Sequence, residues 1–242
     1  MKKGEYMHTI FNALQQYATE KRKQTNMRFF KTGKGEYGEG DQFLGVSVPD
    51  CRKVARTFLD SPLSTIEKSL ESPLHEERLT ALLVLVEKFK KAKKEKEQKE
   101  IVDFYLAHVH GVNNWDLVDL SADKILGSYL LEKETKTLHD FVSSPNVWKR
   151  RIAVISTFAF IRKMRFQDTF QLTEKLLSDK HDLMHKACGW MLREIGKRDE
   201  KALEKFLEKY AQRMPRTMLR YAIECFLPNK RKAYLEKGKK GR

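Results

Sequence analysis

The chain is predicted to be all-α, a solenoid of antiparallel helix pairs. Apolar residues recur at spacings of three and four along most of its 242 residues, and the alternating Val, Ile and Thr runs of strands are nearly absent. A helical layout also returns at a fixed interval. Arg151-Ile152-Ala153, His185-Lys186-Ala187 and Arg220-Tyr221-Ala222 share one arrangement, with the alanines 34 and then 35 residues apart, and a similar helix begins at Trp115, 33 residues before Trp148. A period in the mid-thirties marks repeats that bury their apolar faces only against neighbours.

Taken in order, the chain opens on Met1-Lys2-Lys3-Gly4-Glu5-Tyr6 and a charged amphipathic pattern, which predicts a helix and no signal peptide. Residues 32–45 hold five of the 12 glycines. Within them Gly33-Lys34-Gly35-Glu36-Tyr37-Gly38 matches the letters of a dinucleotide-binding fingerprint, but no strand precedes it and no helix opens at its third glycine. The segment is expected to be a loop closing over a cleft or a plain connector. Ser61-Pro62, Ser72-Pro73, Gly111-Val112-Asn113, Ser143-Ser144-Pro145-Asn146, Ser178-Asp179-Lys180 and Met214-Pro215 then cut the chain into helix pairs. The mixed Lys and Glu run from Lys88 to Lys99 is the solvated end of one helix and the start of the next. Residues 1–228 are expected to form one repeat domain and 229–242 a basic tail.

The net charge of +15 and a pI near 9.6 favour a polyanionic partner. The tail carries seven basic residues and one acid, so +6 sits there and +9 on the body. An acidic membrane surface would attract the same charge, but no stretch approaches the roughly 20 apolar residues of a membrane span. Cys51, Cys188 and Cys225 are three, far apart and without a Cys-x-x-Cys pair, which argues against a zinc site or disulfides and for reduced thiols in a cytoplasmic protein. No metal or cofactor is expected.

The most informative stretch is Asn113-Asn114-Trp115-Asp116-Leu117-Val118-Asp119-Leu120. On a helix Trp115 and Asp119 lie only about 40° apart, beside an apolar stripe through Val118, Ala122, Ile125, Leu126 and Tyr129. Asp119 therefore borders a buried face, and Asp116 and Asp123 are expected further round toward solvent. An environment of that kind can tune a carboxylate for chemistry. The plainer alternative is a core tryptophan followed by a solvated acid. Likewise Arg151, His185 and Arg220, each two residues before a repeat alanine, would line one concave basic groove or simply solvate each helix.

Asn114-Trp115-Asp116-Leu117-Val118-Asp119, then Asn146-Val147-Trp148-Lys149-Arg150-Arg151-Ile152-Ala153-Val154, then Lys186-Ala187-Cys188-Gly189-Trp190-Met191-Leu192-Arg193-Glu194, together resemble the AlkD-type DNA-alkylation-repair glycosylases. Phe43-Leu44-Gly45-Val46-Ser47-Val48-Pro49 before an Arg-containing helix fits the same family. The resemblance implies a right-handed array of HEAT-like helix pairs with a basic concave face. It implies excision of cationic purines, 3-methyladenine and 7-methylguanine, from duplex DNA. It places the key carboxylate on Asp119, the cleft tryptophans on Trp115 and Trp190, and a phosphate-gripping arginine on Arg151; beside these, Arg150, Arg193 and Lys186 are candidate DNA contacts in this chain. The chain departs from the well-studied members in its longer glycine-rich connection and in Phe29, which stands near a family tyrosine and is counted with the DNA contacts. Trp148 is assigned to the core.

These residue types suit the chemistry. A purine alkylated on a ring nitrogen leaves as a neutral base, so no general acid is needed, unlike ordinary glycoside hydrolysis. What remains is to stabilise the oxocarbenium charge growing on the sugar and to place a water, and one preorganised carboxylate can do both. Aromatic faces favour a cation by roughly 0.5 to 2 kcal/mol, which selects charged lesions without a deep base-reading pocket. No lysine is singled out for a Schiff base, so a monofunctional enzyme is expected. The competing expectation is a non-catalytic repeat protein that binds branched or distorted DNA, or structured RNA; a protein-binding scaffold is a third. A monomer is expected, engaging the nucleoid when on DNA.

Overall fold

The computed structural model describes residues 9–237. The head of the chain, on which the absence of a signal pattern was argued, and the last five residues of the basic tail lie outside the described residues. Those described are helical apart from turns and one isolated parallel bridge between Gln42 and Leu74. That all-helical architecture agrees with a HEAT-like helical repeat. No helix among them is long and apolar enough to cross a membrane. The chain divides into two compact units, residues 1–121 and 122–242.

The first unit contains α1 (Ile10–Gln15), α2 (Glu20–Phe29), α3 (Val48–Thr57), α4 (Leu63–Leu70), α5 (His75–Lys91), α6 (Glu95–Ala107) and α7 (Trp115–Ser121). Local chemistry starts them: the Thr9 hydroxyl accepts from the Asn12 N–H ahead of α1, and Ser47 accepts from the Asp50 N–H ahead of α3, where Pro49 occupies the first turn. Helix α5 is the centre. Its Leu79 and Ala81 to Val86 are all 2% exposed or less, the mark of a helix covered on every side, and α3, α4, α6 and α7 pack around it. Helix α2 is the opposite, with no buried residue. Gly45 holds the start of α2 against the body: its φ of +87° suits glycine, and a Cβ there would stand 2.2 Å from the Thr19 carbonyl oxygen.

The second unit opens on a π-helical turn, Asp123–Gly127, closed by the Gly127 N–H to the Ala122 carbonyl at 2.9 Å. It continues through α8 (Lys136–Val142), α9 (Val147–Ser156), α10 (Phe158–Ile161), α11 (Gln167–Lys175), α12 (Asp182–Gly196), α13 (Glu200–Tyr210), α14 (Arg216–Ala222) and α15 (Pro228–Lys237). The Asn146 side chain caps α9 by accepting from the Trp148 and Lys149 N–H groups. Helix α12 buries Leu183, Met184, Ala187, Cys188, Met191, Leu192 and Ile195, one stripe at three-and-four spacing. Helix α14 lies directly against it because Gly189 has no side chain; a Cβ there would be 2.5 Å from the Cβ of Tyr221. The six breaks read from Ser, Pro and Gly clusters all fall between helices. Helix α15 occupies most of the segment expected as a basic tail, and its Tyr234 is buried with its ring 5.6 Å from Phe226.

Candidate functional site

Four segments of the first unit converge on the head of α7. Asn114 starts it: Oδ1 accepts from the Trp115 N–H at 2.8 Å, and Nδ2 donates to Asp41 Oδ2 at 2.9 Å. Asp116 accepts from the Leu117 N–H at 2.9 Å and meets His75 Nε2 at 2.9 Å. The other ring nitrogen of His75 meets Asp41 Oδ2 at 3.1 Å, and Arg78 donates to Asp41 and to the Ser72 carbonyl. His75 is only 1% exposed. Burial opposes its charge, but the facing Asp116 and Asp41 outweigh that and raise its pKa to about 9. It is a buried imidazolium donating from both nitrogens. Burial acts on Asp41 in the opposite sense and is likewise outweighed, by His75, Arg78 and Asn114, so its carboxyl sits below its ordinary value.

The neighbouring Glu76, 2% exposed, binds the end of the glycine-rich segment. Its carboxylate accepts from the N–H groups of Leu44, Gly45 and Val46 at 2.9, 2.9 and 3.1 Å, and from the Asn26 amide of α2 at 3.3 Å. The aromatic rings complete the frame. Phe30 stacks on Trp115 at 5.2 Å and on Phe43 at 5.1 Å and lies 4.7 Å from His75, while Phe29 meets Trp115 edge-on at 5.7 Å.

Together these segments enclose a cavity of about 390 Å³. Phe29, Phe30, Leu79 and Trp115 give it an apolar wall, Asp116 and Asp119 bring carboxylates, and Arg22 and Asn26 come from α2. Trp115 and Asp119 are both half-buried. An aromatic wall with carboxylates fits a flat cationic group. Among the described residues no group of His, Cys, Asp and Glu could hold a metal ion. Burial pushes the thiols of Cys51 and Cys188 up to about 12, so neither serves as a nucleophile near neutral pH.

The residues singled out in the sequence divide accordingly. Trp115, Asp119 and Phe29 meet at this cavity. Two others correct the sequence reading: Asp116 and Asp123 were expected toward solvent, yet are 6% and 2% exposed. Asp116 is drawn in by His75. Asp123 lies in the π turn, whose extra residue rotates the register after Ala122, and it pairs with Arg162 at 2.9 Å. In the second unit Trp190 is half-buried on α12, its ring 5.9 Å from Phe158. Arg151 is 4% exposed and donates to the Leu183 carbonyl at 2.7 Å, a bond any phosphate must compete with. Arg150 holds Asp179 at 2.7 Å and the carbonyls of Ser144 and Pro145. Arg193 pairs with Glu224, and Lys186 with Asp182 at 2.6 Å. The shared repeat placement does not give shared exposure: of Arg151, His185 and Arg220, Arg220 alone is exposed. Trp148, 8% exposed, is core as expected. Sequence reasoning missed Asp41, His75, Glu76, Arg78 and Phe30; the dense His75-Glu76-Glu77-Arg78 cluster heading a helix was the available signal.

The model of the DNA alkylation repair enzyme family matches residues 10–226. The chain belongs to that family. Among solved structures it is similar to a protein from Enterococcus faecalis described as a "predicted DNA alkylation repair enzyme", with a TM-score of 0.69 at 16% identity, covering 87% of this chain and 97% of that one. At that identity the likeness speaks for the fold. No curated protein matches the chain. As a member of the DNA alkylation repair family, the protein has a role in DNA repair.

Proposed function

We propose that the protein is a monofunctional DNA glycosylase that hydrolyses the N-glycosidic bond of cationic alkylated purines, 3-methyladenine and 7-methylguanine, in duplex DNA, acting as a monomer. The observation that carries this reading is the placing of Asp119 and Trp115 on one aromatic cavity in a chain of this family. Asp119 faces the sugar, stabilises the oxocarbenium charge and holds the attacking water. Trp115, with Phe29 and Phe30, favours the cationic nucleotide over its neutral neighbours. In the second unit Trp190 supplies a further aromatic face to the DNA, and Arg150, Arg151, Lys186 and Arg193 contribute positive charge toward its backbone.

The test is release of free base from a duplex carrying one 7-methylguanine, by the wild type and by Asp119→Asn, with duplex binding followed in parallel. A loss of about 100-fold or more in the variant, with binding retained, is expected. Binding without release by either protein, from this duplex and from methylated genomic DNA, sinks the catalytic reading and leaves a protein that recognises distorted DNA.

A further inference from the structure

A second cavity, of about 530 Å³, lies wholly within the second unit, lined by Arg193, Thr217, Arg220, Tyr221, Glu224 and Arg231. Three guanidinium groups face one carboxylate there, a local excess of two positive charges. Several arginines elsewhere in the unit are matched by a carboxylate: Arg150 meets Asp179, Arg162 meets Asp123, Arg165 meets Asp168 and Arg198 meets Glu194. In the cavity Arg193 pairs with Glu224, and among the described residues neither Arg220 nor Arg231 has an ion-pair partner.

The Nε groups of Arg193 and Arg231 are moreover buried without an acceptor. Buried N–H groups are ordinarily bonded, so the guanidinium groups of Arg193 and Arg231 keep unsatisfied donor capacity beside the cavity. The contact of Gly189 with Tyr221 fixes α12 against α14, and with them Arg193 beside Arg220. Guanidinium forks suit phosphate oxygens in both geometry and charge. A phosphomonoester carries a charge of about −2 and three terminal oxygens near neutral pH, which matches the excess, whereas an internal phosphodiester carries about half that.

We propose that Arg193, Arg220 and Arg231 form a phosphomonoester site that holds the terminal phosphate of a nucleic-acid strand. This site shares Arg193 with the proposed contacts to the DNA backbone but nothing with Asp119, and it stands whether or not base excision there holds.

The experiment uses the full chain and a short lesion-free duplex, so that no glycosylase chemistry enters. Binding is compared, by fluorescence anisotropy at fixed salt, for duplexes ending in a 5′ or 3′ phosphate and for the same duplex with hydroxyl ends, with inorganic phosphate as competitor. The phosphorylated duplex is expected to bind at least about tenfold tighter. Arg220→Gln and Arg231→Gln should each abolish the gain; Arg220 is exposed, so its replacement leaves the fold intact, as thermal melting will verify. Competition by inorganic phosphate with no preference for duplex ends would keep the phosphate site but assign it to a free phosphate ester. Equal binding of all ends with no competition, or a gain that survives both substitutions, overturns the proposal.

Discussion

His75 Nε2 donates to Asp116 Oδ2 across 2.9 Å, joining the first residue of α5 to the second residue of α7. The imidazolium is held on its other side by Asp41. Trp115 and Asp119 flank Asp116 on the same short helix, so this buried cation, together with Asn114 and Phe30, holds the orientation of the proposed catalytic groups.

A pH dependence follows. His75 titrates near 6.5 when unfolded and near 9 when folded, so its stabilisation is fully present below pH 6.5, declines between the two values and is gone above the higher. The shift corresponds to something on the order of 3 kcal/mol. Asp41 works in the opposite sense: lowered on folding, it stabilises above its ordinary value and fails as the pH falls through the folded one. Urea unfolding at pH 6.5 and pH 9.5 should show the alkaline loss in the wild type and a much smaller one in His75→Gln. Equal losses in both would show that His75 is not the group responsible.

Glu76→Ala leaves the Leu44, Gly45 and Val46 N–H groups without their acceptor. Each buried orphan costs about 1–3 kcal/mol. Amide hydrogen exchange at these three residues should accelerate strongly, while α12 in the other unit keeps its protection; unchanged exchange would mean that the carboxylate does not hold the segment.

Gly45→Ala forces a side chain at φ +87° into the Thr19 carbonyl. A loss exceeding about 1 kcal/mol is expected, with protease nicking concentrated in 19–45. A variant as stable as the wild type would refute the close approach.

Trp115→Ala should lower base release from a cationic lesion about 2- to 30-fold, the range that a cation–π contact of roughly 0.5–2 kcal/mol allows. Trp115→Phe should recover part of it. Equal loss in both would point to a purely structural tryptophan.

Much of this was visible in the sequence. The period of 34–35 residues and the Ser, Pro and Gly breaks located the helices, because spacing and turn chemistry are local properties. Asp119 and Trp115 were visible for the same reason, lying four apart on one helix face. Asp41, His75 and Glu76 were not, because their partners are 30 or more residues away and only the folded chain brings them together. Asp116 was misplaced because a helical wheel places a polar residue outside without knowing that another polar residue awaits it inside. Asp123 was misplaced because the wheel assumes 3.6 residues per turn, which the π turn breaks.

The bond from Asn114 to Asp41 spans 73 residues, and that from His75 to Asp116 spans 41. Closures over such lengths come after local helices form, since chain entropy opposes them until many contacts act together. A ribosome-bound chain that has exposed Asp119 but not yet gathered residues 26–46 and 75–79 around it has the carboxylate without its cleft. On the proposed function, the carboxylate gains its cleft only once these long-range closures form, so a locally melted protein would keep Asp119 but lose the cavity that places it.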